Sequence, residues 1–312
     1  MVVYVEHSVN KNASRGAGKF MSKLIPALKR IGTDVSGINP TVILSTQSWR
    51  QNSTIKVPRV IRIDGAWNKP RKNRKYTRRI FRSQAKIWQS NFCKNYCSRI
   101  LGVPADGRVI YNGDDPEFYK RKDYVETNGK KHVYVCANWL TIHGKQRKIK
   151  RLIDTINIAK VYTAIHKDVE FWFAGDTGNI RSSNPNLKFL GRLNHQDLVS
   201  YMMAANVMLD LEWFAWCPNT VVEALVAGLP VIALNNGGAA ELVRQGWGEI
   251  LPIEVTPNIQ DYMAKRVPVI PFDPIYAALD RWINCETKQP AKKLFINEIA
   301  HQYKVVLEEA SI

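Results

Sequence analysis

The sequence predicts an α/β protein built from two doubly wound domains, each a parallel sheet with crossover helices on its faces. Three observations predict it. The chain has 312 residues, a length that accommodates two domains of ordinary size. Apolar runs of strand length alternate with longer segments of helical periodicity, the pattern that parallel sheets impose. A polar, unpatterned stretch, DPEFYKRKDYVETNGKK (115–131), divides that alternation into two series and reads as a linker.

In the first series the strand-like runs are VVYV (2–5), TVILS (41–45), RVIRI (59–63) and RVIY (108–111). Helical spacing of Phe20, Leu24, Ile25 and Leu28 predicts a helix over about 19–30, and a second helix is expected over about 71–88. The stretch between Arg30 and Pro40 leaves little room for further elements, so the first domain reads as trimmed. The second series opens with HVYVCAN (132–138), followed by a helix over about 150–166, then VEFWFAG (169–175) and LKFLG (187–191). A helix over 196–205, the strand NVMLDLE (206–212), a helix over 220–227, the strand LPVIAL (229–234) and a helix over 239–244 complete it. The tail, about 292–309, has the spacing of one more amphipathic helix. The expected domains are therefore 1–125, 126–290 and a closing helical segment, 291–312.

Composition removes several function classes. Charged residues are 23% and hydrophobic residues 45%, which excludes a disordered chain. No apolar run approaches the roughly 18 residues that span a bilayer, and the N-terminus lacks a signal-peptide pattern. Five cysteines are too few and odd in number for a disulfide framework, so a reducing, cytoplasmic location is expected. Cys93 and Cys97 have no His/Cys partner pair and imply no zinc site, and the Asp114-Asp115 pair belongs to an NGDD turn, so no metal is expected. The net charge is +18, and the first 125 residues hold 25 Lys+Arg against 8 Asp+Glu while the remainder holds 20 against 19. Such asymmetry calls for an anionic partner of the first domain.

The most informative segment is WFAWCPNTVVEALVAGLPVIALNNGGAAELV (213–243). Pro218 suits a first helical turn, where its missing N–H is not needed. Asn219 and Thr220 would then present backbone N–H groups and short polar side chains at a helix N-terminus, a ready phosphate site. Glu223, one turn on, is placed to accept hydrogen bonds from vicinal hydroxyls such as those of a ribose. Asn235 to Gly238 form a tight loop at a strand's C-terminal end, where open α/β sheets bind ligands. Gly16 and Gly18 in RGAGKF would let backbone N–H groups approach a diphosphate. KQRKIKR (145–151) places a run of cations near a helix start, against its dipole, which an anionic ligand would relieve.

The 213–243 string resembles the signature of family-4 glycosyltransferases, through Glu223, Ala224, Gly228, Pro230, Val231, Gly237, Gly238 and Glu241, with a Trp-x-x-x-Cys-Pro-Asn approach that marks one branch. RVIRIDGAW (59–67), QSNF (89–92), VIYNGDDPEF (109–118), FAGDTG (173–178) and LKFLGRL (187–193) resemble further segments of that family. The resemblance implies a GT-B fold, two Rossmann-like domains facing a cleft, with the acceptor bound by the first and a nucleotide-diphosphate sugar by the second. It implies a retaining, metal-independent hexosyltransferase without a cofactor. Asp64 would face the acceptor and Glu223 hold the ribose. Arg147, with Lys145, Lys148, Asn219, Thr220 and the Pro218 turn, would bind the diphosphate, and Gly16 and Gly18 would approach it from the opposite side. Asp176, Arg192 and Leu193 would lie beside the base. The last helix would pack back on the first domain.

One departure bears on activity. The first Glu of the family's paired carboxylates falls on Ala215, with Asp210 and Glu212 nearby. A different donor geometry, a weakened or non-catalytic nucleotide-sugar or glycan-binding module, and an introduced substitution all remain open. The basic excess is densest between Lys69 and Lys86, where nine cations run uninterrupted by an acid, with Tyr76, Ile80, Phe81 and Trp88 interleaved. A solvated helix face, a helix at an anionic membrane surface, and nucleic acid are the three readings. Without zinc-finger or RNP-like strings nucleic acid is disfavoured. Beside a nearly neutral second domain, the charge points to an anionic or membrane-presented glycan or lipid-linked acceptor.

Overall fold

The computed structural model describes residues 1–6, 16–46, 54–67, 70–120, 125–141, 143–243, 247–252, 257–264, 266–285 and 289–312. The chain forms two compact units, one of Met1–Asp115, Trp216–Asn219 and Lys292–Ile312, the other of Pro116–Ala215 and Thr220–Ala291. The break therefore falls at Asp115 rather than at 125. The expected linker begins as a 3-10 turn, Pro116–Tyr119, in which the Phe118 ring meets His195 of the second unit at 4.6 Å.

The first unit runs β1 (Val3–Glu6), α1 (Gly16–Arg30), β2 (Val42–Thr46), β3 (Arg59–Ile63), α2 (Pro70–Phe81), β4 (Ala85–Trp88), α3 (Asn91–Leu101) and β5 (Arg108–Val109). The five strands pair in parallel in chain order. Asp34 makes a one-residue parallel bridge to Val2, outside β1, and the chain then returns to β2 through hydrogen bonds from Thr41 and Val42 to the Val2 carbonyl. That single bridge stands where the short 30–40 stretch left no room for a strand. The expected helix over 71–88 divides at Ser83-Gln84. AKIW instead alternates as a strand, Ile87 packing with Val60 and α1 on one face and Trp88 with Ile61, Cys93 and Cys97 on the other. Both cysteines are thus buried core residues of α3.

The second unit runs β6 (Lys131–Cys136), α4 (Leu152–Ile165), β7 (Val169–Ala174), β8 (Leu187–Gly191), α5 (His195–Ala204), β9 (Val207–Asp210), α6 (Asn219–Val226), β10 (Val231–Leu234), α7 (Ala239–Val243), β11 (Gly248–Leu251), α8 (Ile259–Ala264) and α9 (Asp273–Trp282). Its strands are all parallel, in the order β11-β10-β9-β6-β7-β8. Alternate residues Val133, Val135, Phe171 and Phe173 face a core closed by Ile156 and Tyr162 of α4 and Ile275 and Leu279 of α9. α3, α8, α9 and β11 were not among the expected elements. They are short or mixed in polarity: α3 and α9 bury only one side of each helix, β11 is a four-residue edge strand, and α8 buries no residue.

The closing segment forms a 3-10 turn, Lys292–Leu294, and α10 (Ile296–Ala310). Ile299, Ala300, Tyr303 and Leu307 of α10 pack with Phe20, Leu24 and Leu28 of α1 over the first sheet. The NGDD turn anchors this arrangement. Asp114, fully buried, pairs with Lys23 at 2.7 Å, and its backbone exchanges hydrogen bonds with Leu294 and Ile296. Asp115 pairs with Arg30 at 3.0 Å. Both acids are thus spent on ion pairs to α1. Among the described residues no three His, Cys, Asp or Glu side chains are grouped as metal ligands.

Candidate active site

The second sheet reverses direction between β6 and β9: β7 and β8 extend one side and β10 and β11 the other. Open α/β sheets bind ligands outside the strand C-termini at such a switch point. Two segments meet there. The one after β6 carries Lys145, Arg147 and Lys148, and the one after β9, which ends at Asp210, carries Glu212. Lys150 forms an ion pair with Glu212, and the Trp213 N–H donates to the Ile149 carbonyl at 2.8 Å.

The cationic segment is not a helix start. Leu140 and Gln146 form an isolated antiparallel bridge, and Thr141 Oγ1 accepts from the Lys145 N–H at 3.1 Å. A 3-10 turn, Lys148–Lys150, follows, and Arg151 sits in the left-handed region at φ 50 before α4 begins. Two cations are neutralised internally, Lys150 by Glu212 and the buried Arg151 by Asp154 at 2.7 Å and the Pro268 carbonyl at 2.6 Å. The conflict with the α4 dipole is thereby removed by carboxylates. Lys145 and Lys148 are exposed and Arg147 half-exposed. None of the three has a carboxylate partner among the described residues, so they remain available to an anion.

The other expected site residues divide. Asp176 and Arg192, at the ends of β7 and β8, pair at 3.3 Å, and Asp176 also accepts from the Gly178 N–H. Leu193 lines a groove of about 760 Å³ with Trp172 and Tyr201 beside α5. Glu223 is 1% exposed on α6, and its charge, after burial and Cys136, helps raise the Tyr134 hydroxyl. Thr220 belongs to the second unit, whereas Pro218 and Asn219 belong to the first. The Asn219 Oδ1 accepts from Asn112 Nδ2 at 2.6 Å, so that side chain is engaged rather than free at the helix end. Gly16 and Gly18 stand in the first turn of α1 and not in a loop; residues 7–15 lie outside the described ones.

The Asn235–Gly238 loop has a packing role as well. The Gly238 N–H donates to the Ala215 carbonyl at 2.7 Å, and a Cβ on Gly237 would stand 2.7 Å from the same oxygen. Phe214, before it, adopts φ 60 and stacks on Tyr262 at 4.5 Å. Ala215 is therefore a buried backbone anchor.

Asp210 closes β9 as a buried carboxyl. Burial first, and Glu212 second, push it up to about 7, against the opposing pull of Lys150. A carboxyl raised in the folded state stabilises only while it is protonated, so stability falls as pH rises from the unfolded value, 3.8, towards 7. Asp210→Asn is expected to leave the melting temperature unchanged at pH 4 and to raise stability at pH 8 by on the order of 2 kcal/mol. An equal effect at both pH values in thermal unfolding would contradict this.

In the first unit the predicted acceptor residue, Asp64, lies just after β3. Arg62, 1% exposed, donates to Asp64 Oδ1 at 2.6 Å, Tyr303 Oη at 2.8 Å and Asn112 Oδ1 at 2.6 Å, and its guanidinium lies 4.0 Å from the Phe20 ring centre. Burial opposes its charge, but Asp64 and Tyr303 outweigh burial and its pKa rises. Asp64 Oδ2 is buried without a hydrogen-bond partner among the described residues. The Trp216–Asn219 strap packs on this unit: the Trp216 ring lies where a Cβ on Gly65 (φ +132) would stand, and Asn112 donates to the Cys217 carbonyl at 3.2 Å. The Arg62 network was invisible to sequence reading; the one available signal was an arginine inside an otherwise apolar strand.

Residues 131–271 match the family model described as Glycosyl transferases group 1. The two parallel-sheet Rossmann-like domains are of the GT-B kind, shared with glycosyltransferases of known structure. Sucrose-phosphate synthase from Thermosynechococcus elongatus superposes with TM-score 0.67 at 13% identity, covering 99% of this chain and 98% of its own. Anabaena HepE, solved in complex with UDP-glucose, superposes with TM-score 0.61 at 16% identity, covering 99% of each chain. A GDP-mannose-dependent monoacylated α-(1-6)-phosphatidylinositol monomannoside mannosyltransferase of Corynebacterium glutamicum is 36% identical over 76 residues, which cover 21% of this chain and 19% of the relative.

Proposed function

We propose that this protein is a retaining, metal-independent glycosyltransferase that moves a hexosyl group from a nucleotide-diphosphate sugar to a glycan or lipid-linked acceptor. The observation that carries the reading is the trio Lys145, Arg147 and Lys148, without carboxylate partners, beside the β6/β9 switch point of a domain that matches glycosyltransferases. The UDP-glucose held by HepE supports a nucleotide sugar as donor.

In this reading Arg147 and its neighbours stabilise the negative charge that develops on the departing diphosphate, and Glu223 takes the ribose hydroxyls. Asp176 and Arg192 border the base, and Thr220 and Asn219 contribute backbone N–H groups. The bond from the sugar C1 to the diphosphate oxygen breaks as C1 bonds the acceptor oxygen on the same face. The acceptor proton passes to the leaving diphosphate oxygen, so no side-chain nucleophile is needed. Asp64, in the first unit, is the residue assigned to the acceptor. Protein cations supply the charge stabilisation that a divalent ion supplies elsewhere. The five free thiols, four of them buried, accord with a reducing compartment.

The test is turnover across a panel of UDP- and GDP-sugars with and without EDTA. Turnover that survives EDTA with retention at the anomeric carbon is the expected result; inversion, or loss on chelation, would contradict the mechanism. A second reading, a non-catalytic nucleotide-sugar or glycan-binding module, is favoured by Ala215, a methyl where the resembled family has a carboxylate. Binding without turnover, unchanged in Ala215→Glu, would establish it.

A further inference from the structure

We propose that the outer face of α2 is a docking surface for an anionic bilayer. Arg71, Arg74, Lys75, Arg78 and Arg82 are exposed, as is Phe81 at 58%, and their spacing puts all six on one stripe of the helix and its end. The opposite stripe, Asn73 and Ile80, is buried. None of these five cations has a carboxylate partner among the described residues, and α2 itself contains no acid. Elsewhere in this unit several cations are neutralised: Lys23 by Asp114, Arg30 by Asp115, Arg59 by Glu6 and Lys86 by Asp106. Lys86, counted with the basic run in the sequence, is therefore a paired residue of β4 and no part of the stripe. Lys69 lies outside the described residues.

The stripe ends in aromatic side chains. Phe81 closes it, and Trp67, 43% exposed, precedes it. Asn73 fixes Trp67 to the helix, accepting from its N–H at 3.0 Å and donating to its carbonyl at 2.8 Å. Cations in a row with an indole at one end and a phenyl ring at the other suit the headgroup layer, where phosphates meet the cations and the rings reach the acyl boundary. A nucleic-acid duplex would neutralise the cations but leave both rings in water. The contributions of cations near an anionic surface accumulate, so five give substantial, salt-sensitive binding. The inference deepens the proposed function by naming where a lipid-linked acceptor would be met, but its charge argument does not depend on the donor chemistry.

The experiment is sedimentation of the full chain with vesicles of phosphatidylcholine alone or with 30% phosphatidylglycerol, at two salt concentrations. Binding only to the anionic vesicles, weakened by salt, is expected. Arg74→Glu/Arg78→Glu should lower the partition coefficient at least about tenfold, and Phe81→Ser should lower it several-fold at unchanged charge. Nucleotide affinity measured in parallel reports that the variants are folded and keeps failure here distinct from failure of the donor assignment. Equal binding to both vesicle types, no binding to either, or insensitivity to Phe81→Ser with tighter capture of a DNA oligonucleotide would each overturn the proposal.

Discussion

Arg62→Met is expected to destabilise the first unit by about 3–5 kcal/mol, the cost of breaking a buried charged pair from one side. The substitution keeps much of the side-chain volume but leaves Asp64, with its second oxygen already lacking a partner, as an uncompensated buried carboxylate. It also strands the acceptor oxygens of Asn112 and Tyr303, which come from the loop before Asp114 and from α10. Tyr303→Phe removes one hydrogen bond and should cost only about 0.5–1.5 kcal/mol. Urea unfolding with hydrogen exchange of β3 and α10 amides reads both changes. A loss below about 1 kcal/mol for Arg62→Met would mean the network is not what holds α10 on the sheet.

Glu223→Gln is expected to weaken nucleoside-diphosphate binding by roughly tenfold to a hundredfold, since a hydrogen bond to a charged acceptor is worth about 1.5–3 kcal/mol. The shape of the buried site on α6 is preserved, so a loss would report the charge on the carboxylate rather than packing. Glu223→Ala should weaken binding further. Calorimetry with UDP and GDP is the measurement, and unchanged affinity in both variants would remove Glu223 from the donor site.

Much of the second unit was legible because a strand buried on both faces is a continuous apolar run. VEFWFAG and LPVIAL fall on the buried strands β7 and β10 with shifts of only a residue or two, and LKFLG falls on the edge strand β8. The first unit was harder. AKIW was absorbed into the preceding basic helix because four residues alternate too briefly to outweigh a long cationic stretch, and only pairing with β3 makes them a strand. The cationic loop was found, but its partition was not. Which of Lys145, Arg147, Lys148, Lys150 and Arg151 stay available depends on Glu212 and Asp154, and on a left-handed turn at Arg151 that no spacing announces.

The sequence by itself determined the alternation of elements, the two parallel sheets, the concentration of charge in the first 125 residues and the signature around Glu223. Each is a local matter of apolar period, turn chemistry or composition. Only the tertiary structure decided which charges are spent. It paired Lys86, Lys23 and Arg30 and left the α2 stripe without carboxylate partners. It turned Ala215 into a backbone anchor on the Gly237-Gly238 loop. It buried Arg62 among groups from β3, the Asn112 loop, α1 and α10. Ion pairs and buried networks join residues far apart in the chain, and their energy depends on distance and desolvation, which exist only once the fold has formed.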